Sequence, residues 1–211
     1  MTFLNKELVM PGEWVPIAQK ILCQDETIMV LGKMDSGKTS FIQLFVQYLV
    51  KRNRKIGWID ADIGQSTLGP PTTAGMSILD KKSLKSMVLP EIRLVFIGAL
   101  SPARCVDKFI NGICLLNGIG HSYKVNTILI DTTGLVTGTL GSYIKSSLIK
   151  RIKPTVLIAL QFKDELEPIL KEFEKEALIS IFRLKPYQEI HHKNWFERKN
   201  RRKNQFREYF P

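Results

Sequence analysis

Residues 27–53 set the tightest limit on what this chain can fold into. Thr27–Gly32 (TIMVLG) is a short apolar run closed by glycine, the pattern of a buried strand. Gly32–Thr39 reads GKMDSGKT and satisfies G-x-x-x-x-G-K-[ST] at every fixed position. From Lys38 to Asn53, the residues Phe41, Leu44, Phe45, Tyr48 and Leu49 recur at helical spacing. A strand, a glycine loop and a helix in that order make an anion cradle. Backbone N–H groups across Gly32, Lys33, Met34, Asp35, Ser36, Gly37, Lys38, Thr39 and Ser40 can wrap a phosphate, and the helix N-terminus adds positive potential. In such a cradle the lysine, here Lys38, reaches the outer phosphates, and the hydroxyl of Thr39 ligates Mg²⁺. The ligand class is therefore ATP or a related nucleotide.

The remainder of the chain repeats the same alternation. Val15–Leu22 reads as a short amphipathic helix behind a Pro-Gly turn, within an N-terminal segment 1–26. Buried strands are expected at Lys55–Asp62 and Val125–Gly134, strands also at Pro154–Gln161 and Ala177–Leu184, and Leu94–Leu100 is a further apolar run. Helices are expected at Val106–Gly118, Ser142–Arg151 and Glu165–Glu176. Gly69–Met76 (GPPTTAGM) excludes a helix interior, because two prolines and two glycines break it. The fold class is α/β: a mostly parallel sheet with helices on both faces, of the phosphate-loop NTPase type. Its core spans 27–184, a basic helical tail occupies 185–211, and one domain accounts for the whole. Ligands of such sheets bind beyond the carboxyl ends of the strands, which is where the polar motifs fall.

Two carboxylate motifs lie at those ends. Asp60 and Asp62 close the second strand in DADIGQ, and i, i+2 spacing puts both on one side of an extended chain. Carboxylates that close together repel, so a cation is expected between them. Asp131 closes another apolar strand in LIDTTG, the arrangement in which a carboxylate holds Mg²⁺. Thr39, Asp60 and Asp131 are thus the candidate metal residues. The Gly134 N–H is placed to approach the outer phosphate, and Gln65 to orient a nucleophile. DTTG also reads as the D-x-x-G of GTP-binding switch proteins, but no N-K-x-D guanine-reading motif follows.

Charge points to the partner. The chain of 211 residues holds 31 Lys and Arg against 20 Asp and Glu, for a net charge of +11. An excess of this size favours a polyanion, with nucleic acid first. Lys193–Arg207 alone carries seven cations against Glu197, interleaved with Trp195, Phe196 and Phe206. On a helix, Arg198, Arg202 and Gln205 would share a face while Phe206, Tyr209 and Phe210 form an apolar patch. His191 and His192 read as a surface pair and His121 as a lone loop histidine. Cys23, Cys105 and Cys114 match no metal spacing and read as buried free thiols, which fits a reducing cytoplasm. No apolar run approaches the ~20 residues that span a bilayer, so no membrane is expected. Nothing in the sequence sets an oligomeric state.

Taken in order, GKMDSGKT, DADIGQ, GPPTTAGM, DTTGLVTG and FERKNRRKNQFREYF resemble the polynucleotide 5′-hydroxyl kinase family. That family includes the eukaryotic RNA-processing kinase of the cleavage factor and the nucleolar rRNA-processing kinase. The resemblance runs from about Thr27 to Phe210 and implies a minimal prokaryotic single-domain form. It implies transfer of the ATP γ-phosphoryl group to the 5′-OH of RNA or DNA, with Mg²⁺. It makes Lys38 catalytic, and Asp62 the carboxylate that accepts the hydroxyl proton. Gln65, Thr72, Thr73 and Gly134 become positioning residues for the acceptor. It places Arg198, Arg202 and Arg207 in an arginine-rich lid over the nucleotide. Leu135 stands where some members carry a base-stacking Trp. An ATP- or GTP-binding switch or scaffold without transfer activity is the alternative, and a small-molecule kinase is a third reading.

Overall fold

The computed structural model describes residues 10–23, 25–86, 92–186 and 194–210. Its centre is a seven-stranded sheet. The strands are β1 (Glu26–Gly32), β2 (Ile56–Asp60), β3 (Thr73–Leu79), β4 (Ile92–Phe96), β5 (Thr127–Asp131), β6 (Val156–Leu160) and β7 (Ser180–Leu184). They lie in the order β4-β3-β2-β5-β1-β6-β7. Every residue of β1, β2, β5 and β6 is buried, as expected of strands covered on both faces. Six strands run in one direction, and β3 alone is reversed, antiparallel to both β2 and β4.

The period-two alternation of each strand feeds two separate apolar layers. Ile28 and Val30 of β1, Trp58 of β2 and Leu129 of β5 face the layer made by α1 (Val15–Leu22) and α2 (Lys38–Lys51). Within it Trp14, Phe41 and Phe45 pack ring on ring, with centroids 4.9 and 4.1 Å apart. Met29 and Leu31, Ile59, Ile128 and Ile130 face the opposite layer. That layer is formed by α4 (Val106–Ser122) and α5 (Gly138–Ile152). Short helices α3 (Lys81–Ser86) and α6 (Glu167–Leu170) lie at the margins, and α7 (Trp195–Tyr209) closes the described chain. No helix among the described residues is long and apolar enough to cross a membrane.

Several expectations are corrected. Thr73–Leu79, read only as non-helical, is a central strand that begins just beyond the second proline. Gly75 is required inside it, because a Cβ there would lie 2.8 Å from the Leu68 side chain. Glu165–Glu176 is not one helix. After Leu170 the chain tightens into i→i−3 bonds, Glu172 N to Ile169 O and Phe173 N to Leu170 O. Glu165 instead turns back to accept the N–H groups of Phe162 and Lys163. The thiols are free, but Cys23 is exposed at the end of α1 and Cys105 and Cys114 are only half-buried. His121 sits in the last turn of α4 rather than in a loop. His191, His192 and Lys193 lie outside the described residues.

Candidate active site

The register of the sheet assembles the site. Asp60 pairs with Asp131 across β2 and β5, and Asp131 with Val30 across β5 and β1. Both carboxylates therefore end their strands at one level, beside the loop that leaves β1. That loop needs its glycines. A Cβ on Gly32 would fall 2.9 Å from Leu160 O and closer still to Ser36 Oγ, and Gly37 adopts a φ of 83°. Asp35 also takes a left-handed φ of 57°, a conformation that costs a non-glycine residue free energy and marks functional turns. No side chain caps α2, so the first-turn N–H groups around Lys38, Thr39 and Ser40 are free to meet an anion.

The charged groups are buried and mutually balanced. Lys38 is buried, and its Nζ donates to Lys33 O at 2.6 Å. Burial holds its pKa below the ordinary lysine value, opposed by Asp131, Asp62 and Asp35. Thr39 Oγ1 donates to Asp131 Oδ2 at 2.6 Å, while Asp131 Oδ1 is buried with no partner. Burial, and repulsion from Asp60, push the Asp131 carboxyl up to about 7. An unpartnered buried carboxylate oxygen beside a threonine hydroxyl is what a hard divalent cation would satisfy. Among the described residues no cluster of three or more Asp, Glu, His or Cys could cage a metal alone. Mg²⁺ commonly takes only one or two protein ligands, with water and phosphates completing its shell. The donors present fit that mode.

The acidic pair of DADIGQ splits in two. The strand ends at Asp60, so the extended geometry assumed for Asp60 and Asp62 stops there. Asp60 Oδ2 collects the N–H groups of Thr67 and Leu68 and the Ser66 hydroxyl, and Oδ1 accepts from Asp62 N. Burial and the neighbouring Asp62 still raise its carboxyl to about 6. With four donors on it, Asp60 organises the 61–69 loop. Asp62 is half-buried, and its Oδ1 accepts from Gly64 N and Gln65 N at 3.2 Å. Gln65 Nε2 is held by Gly64 O, and its Oε1 is buried without a partner. Thr73 spends its hydroxyl on Pro70 O at 2.7 Å. Thr72 has a φ of 74° and bonds through its backbone to Ile63, Ile97 and Gly98. Both threonines thus shape the turn into β3.

The loop after Asp131 locks onto the phosphate loop. Thr132 donates to Val30 O at 2.7 Å. Gly134 lies so close to Met34 that a Cβ would fall 2.6 Å from its backbone N. Leu135 tucks against the apolar layer of α4 and α5. Gly134→Ala is therefore expected to push the Met34 amide out of line, lowering stability by about 1–3 kcal/mol, the range for overpacking. It should also weaken nucleotide binding at least tenfold in a fluorescent-nucleotide titration. Unchanged affinity would show that the contact does not set the loop.

Lys145 is a member of the site that sequence reading missed. It is fully buried on α5 and donates to Thr133 O at 2.8 Å and to Thr133 Oγ1 at 3.1 Å. Burial, then repulsion from Lys38, lower its pKa to about 7. The unfolded chain holds that proton up to about 10.5, so wild-type stability rises between about pH 7 and 10.5. Lys145→Met lacks this gain. Its stability relative to wild type should fall by roughly 2–3 kcal/mol from pH 6 to pH 9, read from denaturant unfolding at each pH. A pH-independent difference would mean that Lys145 titrates normally.

Helix α7 roofs the site through one polar stripe. Asn194 and Glu197 form a capping box at its start. Arg198 pairs with Asp35 of the phosphate loop. Arg201 and Gln205 donate to Ser66 O, and the Tyr209 hydroxyl donates to Leu68 O at 3.2 Å. The stripe is 198, 201, 205 and 209. Arg201, which the motif reading overlooked, stands in it where Arg202 was expected. Tyr209 is separated from Phe206 and Phe210, and Arg207 faces outward.

A parallel α/β sheet with this loop and this strand-end carboxylate defines a P-loop nucleotide-binding protein. Residues 32–211 match the model of the mRNA cleavage and polyadenylation factor CLP1 P-loop family, and the chain belongs to that family. A polyribonucleotide 5′-hydroxyl-kinase of Pyrococcus furiosus is 33% identical over 183 residues, 87% of this chain and 50% of that protein. The one from Methanocaldococcus jannaschii gives the same identity and coverage. The chain thus spans about half the length of these relatives. A solved Clp1p–Pcf11p complex superimposes with a TM-score of 0.76 at 14% identity, over 94% of this chain and 53% of that one. At that identity the likeness concerns the fold.

Proposed function

We propose that this chain is a polynucleotide 5′-hydroxyl kinase that transfers the γ-phosphoryl group of ATP to the 5′-OH of RNA or DNA. The observation that carries the reading is the convergence of Lys38, Thr39, Asp131 and Asp62 at the carboxyl ends of β1, β2 and β5, beneath a cationic helix. Phosphoryl transfer asks mainly for positioning and charge neutralisation. The phosphate loop and the α2 N-terminus hold the β- and γ-phosphates, and Lys38 neutralises charge on them. Asp62 accepts the proton of the 5′-hydroxyl while its oxygen forms the new P–O bond. The bond from γ-phosphorus to the bridging oxygen breaks, and ADP leaves. Arg198 and Arg201 reach down from α7, with Arg202 beside them and Arg207 on the outward side. Mg²⁺, held by Thr39 and Asp131, would supply further positive charge at the phosphates when bound. Asp60 supports this set by ordering the 61–69 loop.

RNA is the first acceptor to test, because the archaeal relatives are named for polyribonucleotides. Purified protein, γ-labelled ATP and a 5′-OH oligonucleotide should give label at the 5′ end. No label on RNA, DNA or hybrid under conditions where ATP binds would overturn the reading. One observation favours a nucleotide-binding module without transfer: Leu135 leaves no ring exposed where some kinases of this type stack a base. That module would bind ATP tightly, and Asp62→Ala would change nothing measurable.

A further inference from the structure

The outward side of α7 has no partner among the described residues, yet it is both aromatic and cationic. Phe196, Lys199, Lys203, Phe206, Arg207 and Phe210 line a shallow groove of about 720 Å³ along it. Their spacing of i, i+3, i+7, i+10, i+11 and i+14 is one continuous helical stripe. It lies opposite the stripe of Arg198, Arg201, Gln205 and Tyr209 that bonds to the core. Phe196 and Phe210 are 63% and 70% exposed, which is costly in water unless something covers them. Phe206 and Phe210 already stack, with centroids 6.4 Å apart. Lys199 lies 4.9 Å over the ring of Trp195.

The mixture selects the occupant. In a face that docks on protein, the centre is depleted of lysine and charge moves to the rim. In a helix that lies in a bilayer, the cations flank the apolar stripe. Here Lys199, Lys203 and Arg207 sit within the stripe, between the rings. Flat apolar faces interspersed with cations match a ligand that itself combines flat bases with phosphates. The cations follow each other every four residues, a rise of ~6 Å, comparable to the step between phosphates of an extended strand. We propose that this face of α7 is a single-strand docking track. Bases of the acceptor stack on Phe196, Phe206 and Phe210, and its phosphates lie along Lys199, Lys203 and Arg207. The track would grip the polynucleotide downstream of the 5′ end delivered to the site under the helix. It rests on the proposed function only for the nature of the acceptor.

Binding without ATP tests it apart from catalysis. A 12-nucleotide single-stranded RNA labelled at its 3′ end would be titrated by fluorescence anisotropy over a range of salt. Thermal melts would confirm that each variant is folded. Combined Phe196→Ala, Phe206→Ala and Phe210→Ala should weaken binding at least tenfold with the salt slope unchanged. Combined Lys199→Ser, Lys203→Ser and Arg207→Ser should reduce the slope of log K against log salt by about 2. Retention of affinity within twofold by either set would overturn the track. So would sedimentation showing that wild type self-associates and the aromatic variant does not, because the face would then belong to a second copy. RNA bound in this way with no label transferred would refute the kinase reading and leave the track standing.

Discussion

Lys38→Met is expected to lower phosphoryl transfer by at least about 10³-fold, a loss of roughly 4 kcal/mol or more of transition-state stabilisation. The cause is geometric as well as electrostatic. The Lys38 ammonium is buried at the start of α2, where the phosphate loop closes, and it donates to Lys33 O within that loop. Loss of this charge leaves the transferring group facing Asp131 and Asp62 without their nearest balance. The fold should survive, because Met keeps the length of the stem and removes the cost of burying an ammonium. Asp131, deprived of a cation that lowers its pKa, should then hold its proton above the present value of about 7. Single-turnover transfer and a thermal melt check both halves. Transfer within a few-fold of wild type would remove the phosphate loop from the mechanism.

Asp62→Asn is expected to cost between about 10² and 10⁴ in kcat, the usual range for a lost general base, with ATP affinity unchanged within about threefold. The separation is possible because the amide oxygen of Asn can still accept from Gly64 N and Gln65 N, so the loop keeps its shape. Asp60→Asn is the contrasting variant. Its Oδ2 is the meeting point of two backbone N–H groups and a hydroxyl, so an amide nitrogen turned there would face donors. That change should lower stability, whereas Asp62→Asn should not. If Asp62→Asn weakens ATP binding as much as it slows transfer, Asp62 serves the nucleotide rather than the acceptor.

The phosphate loop and the Asp131 strand were legible because each is local. A glycine pattern, a lysine, and an apolar run ending in Asp carry their own chemistry over a few residues. Strand β3 was hidden by composition: Thr-Ala-Gly-Met-Ser supplies small residues where Leu68 and Leu94 press close, so no apolar run announces it. Lys145 was hidden by rank, since a lysine among Ser and Tyr on an amphipathic helix reads as surface. Only the fold shows that its ammonium ends against Thr133. The choice of Arg201 over Arg202 turned on helix rotation. An i, i+4 pair and an i, i+3 pair are both neighbours on a wheel, and the partner loop 135 residues away decides between them. Asp60 and Asp62 misled for a related reason, because alternation holds only while the strand continues.

The docking of α7 has a dynamic consequence. It rests largely on carbonyls of the 61–69 loop, Ser66 O and Leu68 O, and on Asp35, and of its residues only Gln205 is buried. No apolar keel locks it down. Sub-global openings of low free energy come from such regions, with few buried apolar contacts. Amides of α7 should thus exchange with deuterium orders of magnitude faster than those of β1, whose residues are all buried. Because the same loop hangs from Asp60, its amides and those of α7 should quicken together in Asp60→Asn. The helix and the loop would then breathe as one cooperative unit above a static sheet, opening and closing over the phosphate loop without disturbing the strands beneath it.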